Sequence, residues 1–101
     1  MPLMQTLNDK LPTPFRDGKI EEYCLFEVTV ENVFVSKSQL RVEFKDNNGD
    51  TGVWLTHAVH SAKAFTKGRR YTIKALNKGN SIGQHVGKHY ILQKVQRRIL
   101  L

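Results

Sequence analysis

From Tyr23 onward the chain alternates apolar and polar residues one by one, and a period of two confines it to strands. Phe26, Val28 and Val30 point one way while Glu27, Thr29 and Glu31 point the other, as in a strand with one face in a core and one in water. The phase slips at Asn32, because Val33 and Val35 carry the apolar face on one residue late. A bulge or strong bend absorbs such an extra residue, so a long, curled first strand is expected.

Ser36-Lys37-Ser38 makes a tight connection to a second strand, in which Leu40, Val42 and Phe44 alternate with Arg41, Glu43 and Lys45. Asp46-Asn47-Asn48-Gly49-Asp50 follows, and an Asn-Gly pair between two alternating runs is a strong hairpin signal. A third strand runs from Thr51 to Thr56. Val53 and Leu55 read as its core side, which turns Trp54 outward. The period changes over His57 to Phe65, where Ala58, Ala62 and Phe65, with Val59 alongside, stand at helical spacing behind Thr56 as N-cap. Two further strands are expected, Arg69 to Leu76 with Tyr71, Ile73 and Ala75 inward, and His89 to about Arg97 with Tyr90 and Leu92 inward. A glycine-bearing loop, Asn77 to Lys88, joins them. The opening stretch holds Pro2, Pro12, Pro14 and Gly18 without sustained periodicity, and reads as an arm or short helical cap. The expected division is an arm over 1–22, dispensable for folding, and a folded domain over 23–101.

A chain of 101 residues is one domain, long enough to bury a single core. Cys24, the one cysteine, excludes an internal disulfide, fits a reducing compartment and reads as a small buried hydrophobe. Apolar runs are too short to span a bilayer, and Met1 to Gln5 lack the basic start and apolar stretch of a secretion signal. The expectation is an intracellular protein of cytoplasm, nucleoid or nucleus, neither secreted nor in a membrane.

Charge is distributed unevenly. All nine acidic residues precede Thr51, whereas ten of the sixteen Lys and Arg residues and all four histidines follow it, for a net charge of +7. A half-domain without counter-charge makes a positive field, and the abundant partner for such a field is a phosphate backbone. A merely solvated basic surface has the same composition. The arm, with a slight excess of acids, has the charge to lie against the basic half.

Three strands, a helix and two strands resemble the OB-fold. The hairpin Asp46 to Asp50 leading into Gly52-Val53-Trp54-Leu55, and Lys67-Gly68-Arg69-Arg70-Tyr71-Thr72-Ile73 entering the fourth strand, resemble the single-stranded DNA-binding OB domains of the replication protein A type over Tyr23 to Arg98. The resemblance implies an all-β fold with one short helix, a five-stranded Greek-key barrel of order β-β-β-α-β-β. It also implies binding of single-stranded DNA, or RNA, across the outer face of strands two and three, with little sequence preference and in replication, repair or recombination. Such binding combines a cationic groove with flat aromatic faces.

The candidate site follows from that placement. Trp54 is either a stacking platform or packing beneath the arm or at the barrel's end. Arg41 and Lys45 would flank it, with Glu43 weakening the groove between them. Phe34, near the first loop, either stacks on a base or packs around the bulge, and Lys37 stands at the loop's tip. Lys78, His85 and Lys88 are phosphate contacts if the long loop closes on a ligand, as Gly79, Gly83 and Gly87 would allow, or solvated side chains if it does not. Arg70 and Lys74, on the outer side of strand four, extend the positive track, while Arg97 and Arg98 read as solubilising the chain's end.

The second reading is an OB adaptor that docks a nucleic-acid-processing assembly through Trp54, the arm or Ile99-Leu100-Leu101. Gly83 to His89 imitates a phosphate loop, but its glycine spacing is short, His89 replaces the hydroxyl and no helix follows. His57, His60, His85 and His89 lack cysteine partners for zinc, and Asp46, Asn48 and Asp50 lack the glycine and glutamate of a calcium loop. The acids are too scattered for metal-dependent phosphodiester cleavage. No cofactor, metal or catalysis is expected, and the oligomeric state leaves no trace.

Overall fold

The first strand, β1 (Tyr23–Val35), is long enough at 13 residues to serve two neighbours. In the computed structural model, which describes residues 11–18, 22–80 and 89–98, its first part pairs with β4 (Arg70–Asn80) and its second with β2 (Leu40–Asp46). Both pairings are antiparallel, and they overlap only at Val28 and Thr29. The register with β2 slips between Val30 and Asn32, leaving Glu31 as the extra residue. The bulge therefore lies where the alternation loses phase, and it supplies the bend that lets one strand pass from one side of a barrel to the other.

β3 (Thr51–Thr56) pairs antiparallel with β2, and β5 (Tyr90–Arg97) antiparallel with β4. A short parallel pairing of β3 with β5 closes the barrel in the order β1-β2-β3-β5-β4. This is the expected all-β, five-stranded OB-like barrel, and closure leaves no long unpaired edge to template another chain.

Phe26, Val28, Val30, Leu40, Val42, Phe44, Ile73, Ala75 and Leu92 fill the barrel. Each end is stoppered by an aromatic ring. At one end Phe65 meets Phe44, Trp54 and Tyr71 edge-on, with ring centroids 5.4, 6.0 and 5.4 Å away. At the other, Phe15 lies 5.1 Å from Phe26 and 5.8 Å from Tyr90.

Three sequence expectations are corrected here. Trp54 is not outward: it is 6 % exposed and belongs to the core, whereas Leu55 is 50 % exposed. The parity of β3 is set at Gly52, which pairs with the inward Phe44 and faces Phe15 and Leu92 across the core. Trp54, two residues on, must face the same way.

The segment after β3 is a 3-10 helix, Val59–Ala64, rather than an α-helix. Thr56 Oγ1 accepts the N–H of Ala58 instead of capping the helix, and only Val59, Ala62 and Ala64 lean on the core. β4 also runs beyond Leu76 to Asn80, while Lys94 in β5 has φ 53°. That irregularity lets Leu92 and Val95, three apart, both be buried.

The arm is the third correction. Phe15, in a 3-10 turn over Phe15–Asp17, has no exposed surface. Its N–H donates to Asp46 Oδ2 at 3.0 Å and its carbonyl accepts from Asn77 Nδ2 at 2.7 Å, both buried. Thr13 N–H adds a bond to the Leu25 carbonyl at 2.9 Å. A lone phenylalanine among prolines carries no periodicity, so sequence reading misses that it completes the core. Phe15→Ala is expected to cost about 3 to 5 kcal/mol, the usual loss for a buried phenylalanine, measured as a fall in the urea midpoint. An unchanged midpoint would mean that the barrel does not depend on this ring.

Candidate nucleic-acid interface

Because Trp54 faces in, Val53 and Leu55 take the opposite parity; Leu55 is exposed, whereas Val53 is still buried. Across the outer surface Phe34 of β1 stands opposite Arg41 of β2, and Arg41 opposite Leu55 of β3. Phe34 is 52 % exposed and Leu55 50 %, so two apolar side chains flank one guanidinium. With Val35, Ser36 and Gln39 they line an open cleft of about 340 Å³. The turn beneath it is braced by Ser36, whose N–H donates to the Gln39 carbonyl at 2.8 Å and whose hydroxyl accepts the Gln39 N–H at 3.1 Å.

The next row along the same face is Asn32, Glu43, Val53 and Ile91. Glu43 is its electrostatic centre. Arg41 donates to Glu43 Oε2 from Nε at 3.1 Å and Nη2 at 2.7 Å, and Asn32 Nδ2 donates to Oε1 at 2.9 Å. Burial, the largest single influence, pushes the Glu43 carboxyl up. The hydrogen bonds from Arg41 and Asn32 and the electrostatic influence of Arg41 and His89 together outweigh it and hold the group below its ordinary 4.5.

Other acids meet cations in the same way. Glu31 holds Lys45 at 3.1 Å, and Glu27 holds Arg70, which also donates to Asn47 Oδ1 at 3.1 Å. Glu27, Glu31 and Glu43 thus sit on cations of their own or a neighbouring strand and thin the positive field there.

Of the sequence candidates, the barrel brings Phe34 and Arg41 together, with Lys37 exposed in the adjoining turn. Lys45 lies two residues beyond Glu43 on β2, tied to Glu31. Arg70 sits with Glu27 and Asn47 near the β2–β3 hairpin, and Lys74 lies 5.0 Å over the ring of Tyr23, so neither joins the cleft. Lys78 is half-buried in the last part of β4. His85 and Lys88 fall outside the described residues. Trp54 contributes nothing to the outer face. Leu55, Val35 and Asn32 are the members that sequence reading missed, and the parity of β3, had Gly52 been recognised as an inward contact, would have found Leu55.

Among the described residues no group of three or more His, Cys, Asp or Glu is placed to hold a metal ion, and no helix is long and apolar enough to cross a membrane. The sequence matches no protein-family model and no curated protein.

The depressed Glu43 pKa makes stability depend on pH with a definite sign. A carboxyl whose folded pKa lies below its unfolded one contributes stability above the unfolded value and loses it as pH falls through the folded one. Glu43→Gln is therefore expected to lower stability at neutral pH by roughly 1 to 3 kcal/mol, the range for hydrogen bonds to a charged group. The deficit should shrink steadily in acid. Urea titrations of both proteins across pH 2 to 7 check this, and a pH-independent gap would mean that ionisation is not what Arg41 and Asn32 stabilise.

Proposed function

We propose that this protein binds single-stranded nucleic acid, with DNA the first ligand to test, by stacking a base on Phe34 and contacting phosphates with cations around the cleft. The observation that carries the reading is an exposed phenylalanine ring set beside an arginine on the outer face of β1 and β2, in a barrel of OB order. The net charge of +7 supports it, because phosphate contacts supply most of the sequence-independent affinity of such proteins. An exposed ring over an apolar neighbour stacks on any base, so little sequence preference is expected. Domains of the replication protein A type behave in this way, and the proposal extends to a role in replication, repair or recombination within a reducing, intracellular compartment. Binding rather than catalysis is the activity proposed, since the carboxylates on this face are engaged with cations rather than grouped around an open site.

One observation favours a different occupant. Phe34, Val35 and Leu55 make the cleft's rim apolar, and Glu43 neutralises its one arginine. A protein segment with an apolar side chain would suit such a surface, as in an adaptor within a nucleic-acid-processing assembly. The two readings separate on salt: phosphate binding weakens linearly with the logarithm of salt concentration, apolar docking does not.

Phe34→Ala is expected to weaken binding of oligo(dT) by about 1 to 3 kcal/mol, the value of one stacked base, with little change in thermal midpoint because the ring is half in solvent. Trp54→Phe, which keeps an aromatic ring in the core, should leave affinity unchanged. Fluorescence anisotropy titrations read both, and full affinity in Phe34→Ala would remove Phe34 as the platform.

A further inference from the structure

We propose that the binding track does not end at the cleft but continues around the end of the barrel covered by the 3-10 helix, where Lys63, Lys67, Arg69 and Arg97 hold the phosphodiester backbone of the same strand. This rests on the single-strand reading above and extends it to a second surface.

The four cations are brought together by a set of backbone and ring contacts. Arg97, at the end of β5, donates from Nη1 to the Ala64 carbonyl at 3.2 Å, which places it beside Lys63. Its guanidinium also lies over the ring of Tyr71, 5.8 Å from the centroid. The Tyr71 hydroxyl accepts the N–H of Thr66 at 2.8 Å, and the Thr66 carbonyl accepts the N–H of Arg69 at 3.1 Å. The helix end, the turn carrying Lys67, the start of β4 and the end of β5 therefore meet around one tyrosine.

No described carboxylate offsets the charge there. Lys63, Lys67, Arg69 and Arg97 are all exposed, and among the described residues none of them meets a carboxylate. Tyr71 registers the field. Its hydroxyl is held below the ordinary 10.0, first by the bond from Thr66 against the opposing effect of burial, then by the positive charges of Arg69 and Arg97. Arrayed cations beside a low-dielectric barrel attract a polyanion and release its counterions on contact.

The chain itself links this surface to the cleft. Leu55 leads through Thr56 to His57, whose Nδ1–H donates to the Ser38 carbonyl at 2.9 Å and ties the start of the helical segment to the turn below the cleft. From there the six residues of Val59–Ala64 carry the chain to Lys63 and Arg97. At about 2 Å per residue that helix spans roughly 12 Å, a length one continuous strand covers. Among the described residues Arg41, Lys45 and Arg70 are paired with Glu43, Glu31 and Glu27, whereas these four cations meet no carboxylate.

The test is titration of the full chain with oligo(dT) of roughly 6 and roughly 20 nucleotides, one near the lower end of and one beyond the usual OB site size of about 4 to 16 nucleotides, over a range of salt. The longer oligonucleotide should show the steeper salt dependence in the wild type. The triple variant Lys63→Ala, Lys67→Ala, Arg69→Ala should flatten the slope for the longer one by roughly 2 log units per log unit of salt, at about 0.7 per phosphate contact, and leave the shorter one unaffected. Lys63→Gln with Lys67→Gln, expected to give about two thirds of that change, serves if the triple variant is poorly folded by circular dichroism. Equal slopes for variant and wild type on the longer oligonucleotide, with the shorter still bound, overturn the extended track alone. No binding of either length by the wild type at low salt overturns the single-strand reading and the track with it.

Discussion

The barrel depends on the register pairs Gly52–Tyr90, Val53–Ile91 and Trp54–Leu92, which join β3 to β5. Without them the sheet would have two open edges. A parallel ladder this short gains little from its own hydrogen bonds, so closure has to be held by what fills the space inside it. Gly52 is where that happens. A Cβ there would stand 2.8 Å from Phe15 Cζ and 2.9 Å from Leu92 Cδ1, closer than carbon atoms approach, so only glycine admits both side chains. The arm's single aromatic ring occupies the room that the missing side chain leaves.

Asp46 makes the arm and the hairpin one unit with that closure. Its Oδ1 accepts the N–H groups of Asn48 and Asp50, both at 2.9 Å, which shapes the turn, and Gly49 takes the φ of 87° that the turn requires. Its Oδ2 accepts Phe15 N–H. One carboxylate therefore sets the register in which β3 leaves the turn and pins the ring that β3 must make room for. The outer face follows from this. With Gly52 inward, Trp54 is inward and Leu55 outward, and Phe34, Arg41 and Leu55 form one row on the outer face.

The periodic parts of the chain announced themselves, and the aperiodic parts did not. The bulge near Asn32, the turn at Asn48-Gly49 and the five strands are all written in alternation or turn chemistry, which act locally. The parity of β3 is not, because Val53, Trp54 and Leu55 are all apolar and either phase satisfies the pattern. A contact with Phe15, 37 positions earlier by subtraction of 15 from 52, decides it. The same holds for the helix. Ala58, Ala62 and Phe65 have α spacing, but a tether from Thr56 to Ala58 and the seat of Phe65 against Phe44 and Trp54 favour the tighter 3-10 path. In the site, Phe34 was legible as the residue that breaks phase at the first loop; Leu55 was hidden by the β3 ambiguity.

Charge could be counted in the sequence but not placed. The excess of cations in the second half of the chain indicated a positive surface, and the barrel then distributed it unequally. β1 and β2 are where the acids are, and Glu27, Glu31 and Glu43 lie opposite or beside Arg70, Lys45 and Arg41. The exposed pairs of Glu27 and Glu31 add little to stability, yet all three acids remove a cation from the field that reaches an approaching polyanion. The turn and strand ends around Tyr71 come wholly from the half without acids, so their cations keep their reach. An OB-like barrel with its acids on the cleft side is thus a weak electrostatic attractor at its cleft and a stronger one at its helical end. If the protein binds a single strand as proposed, a strand long enough to touch both regions would gain stacking at one and charge at the other.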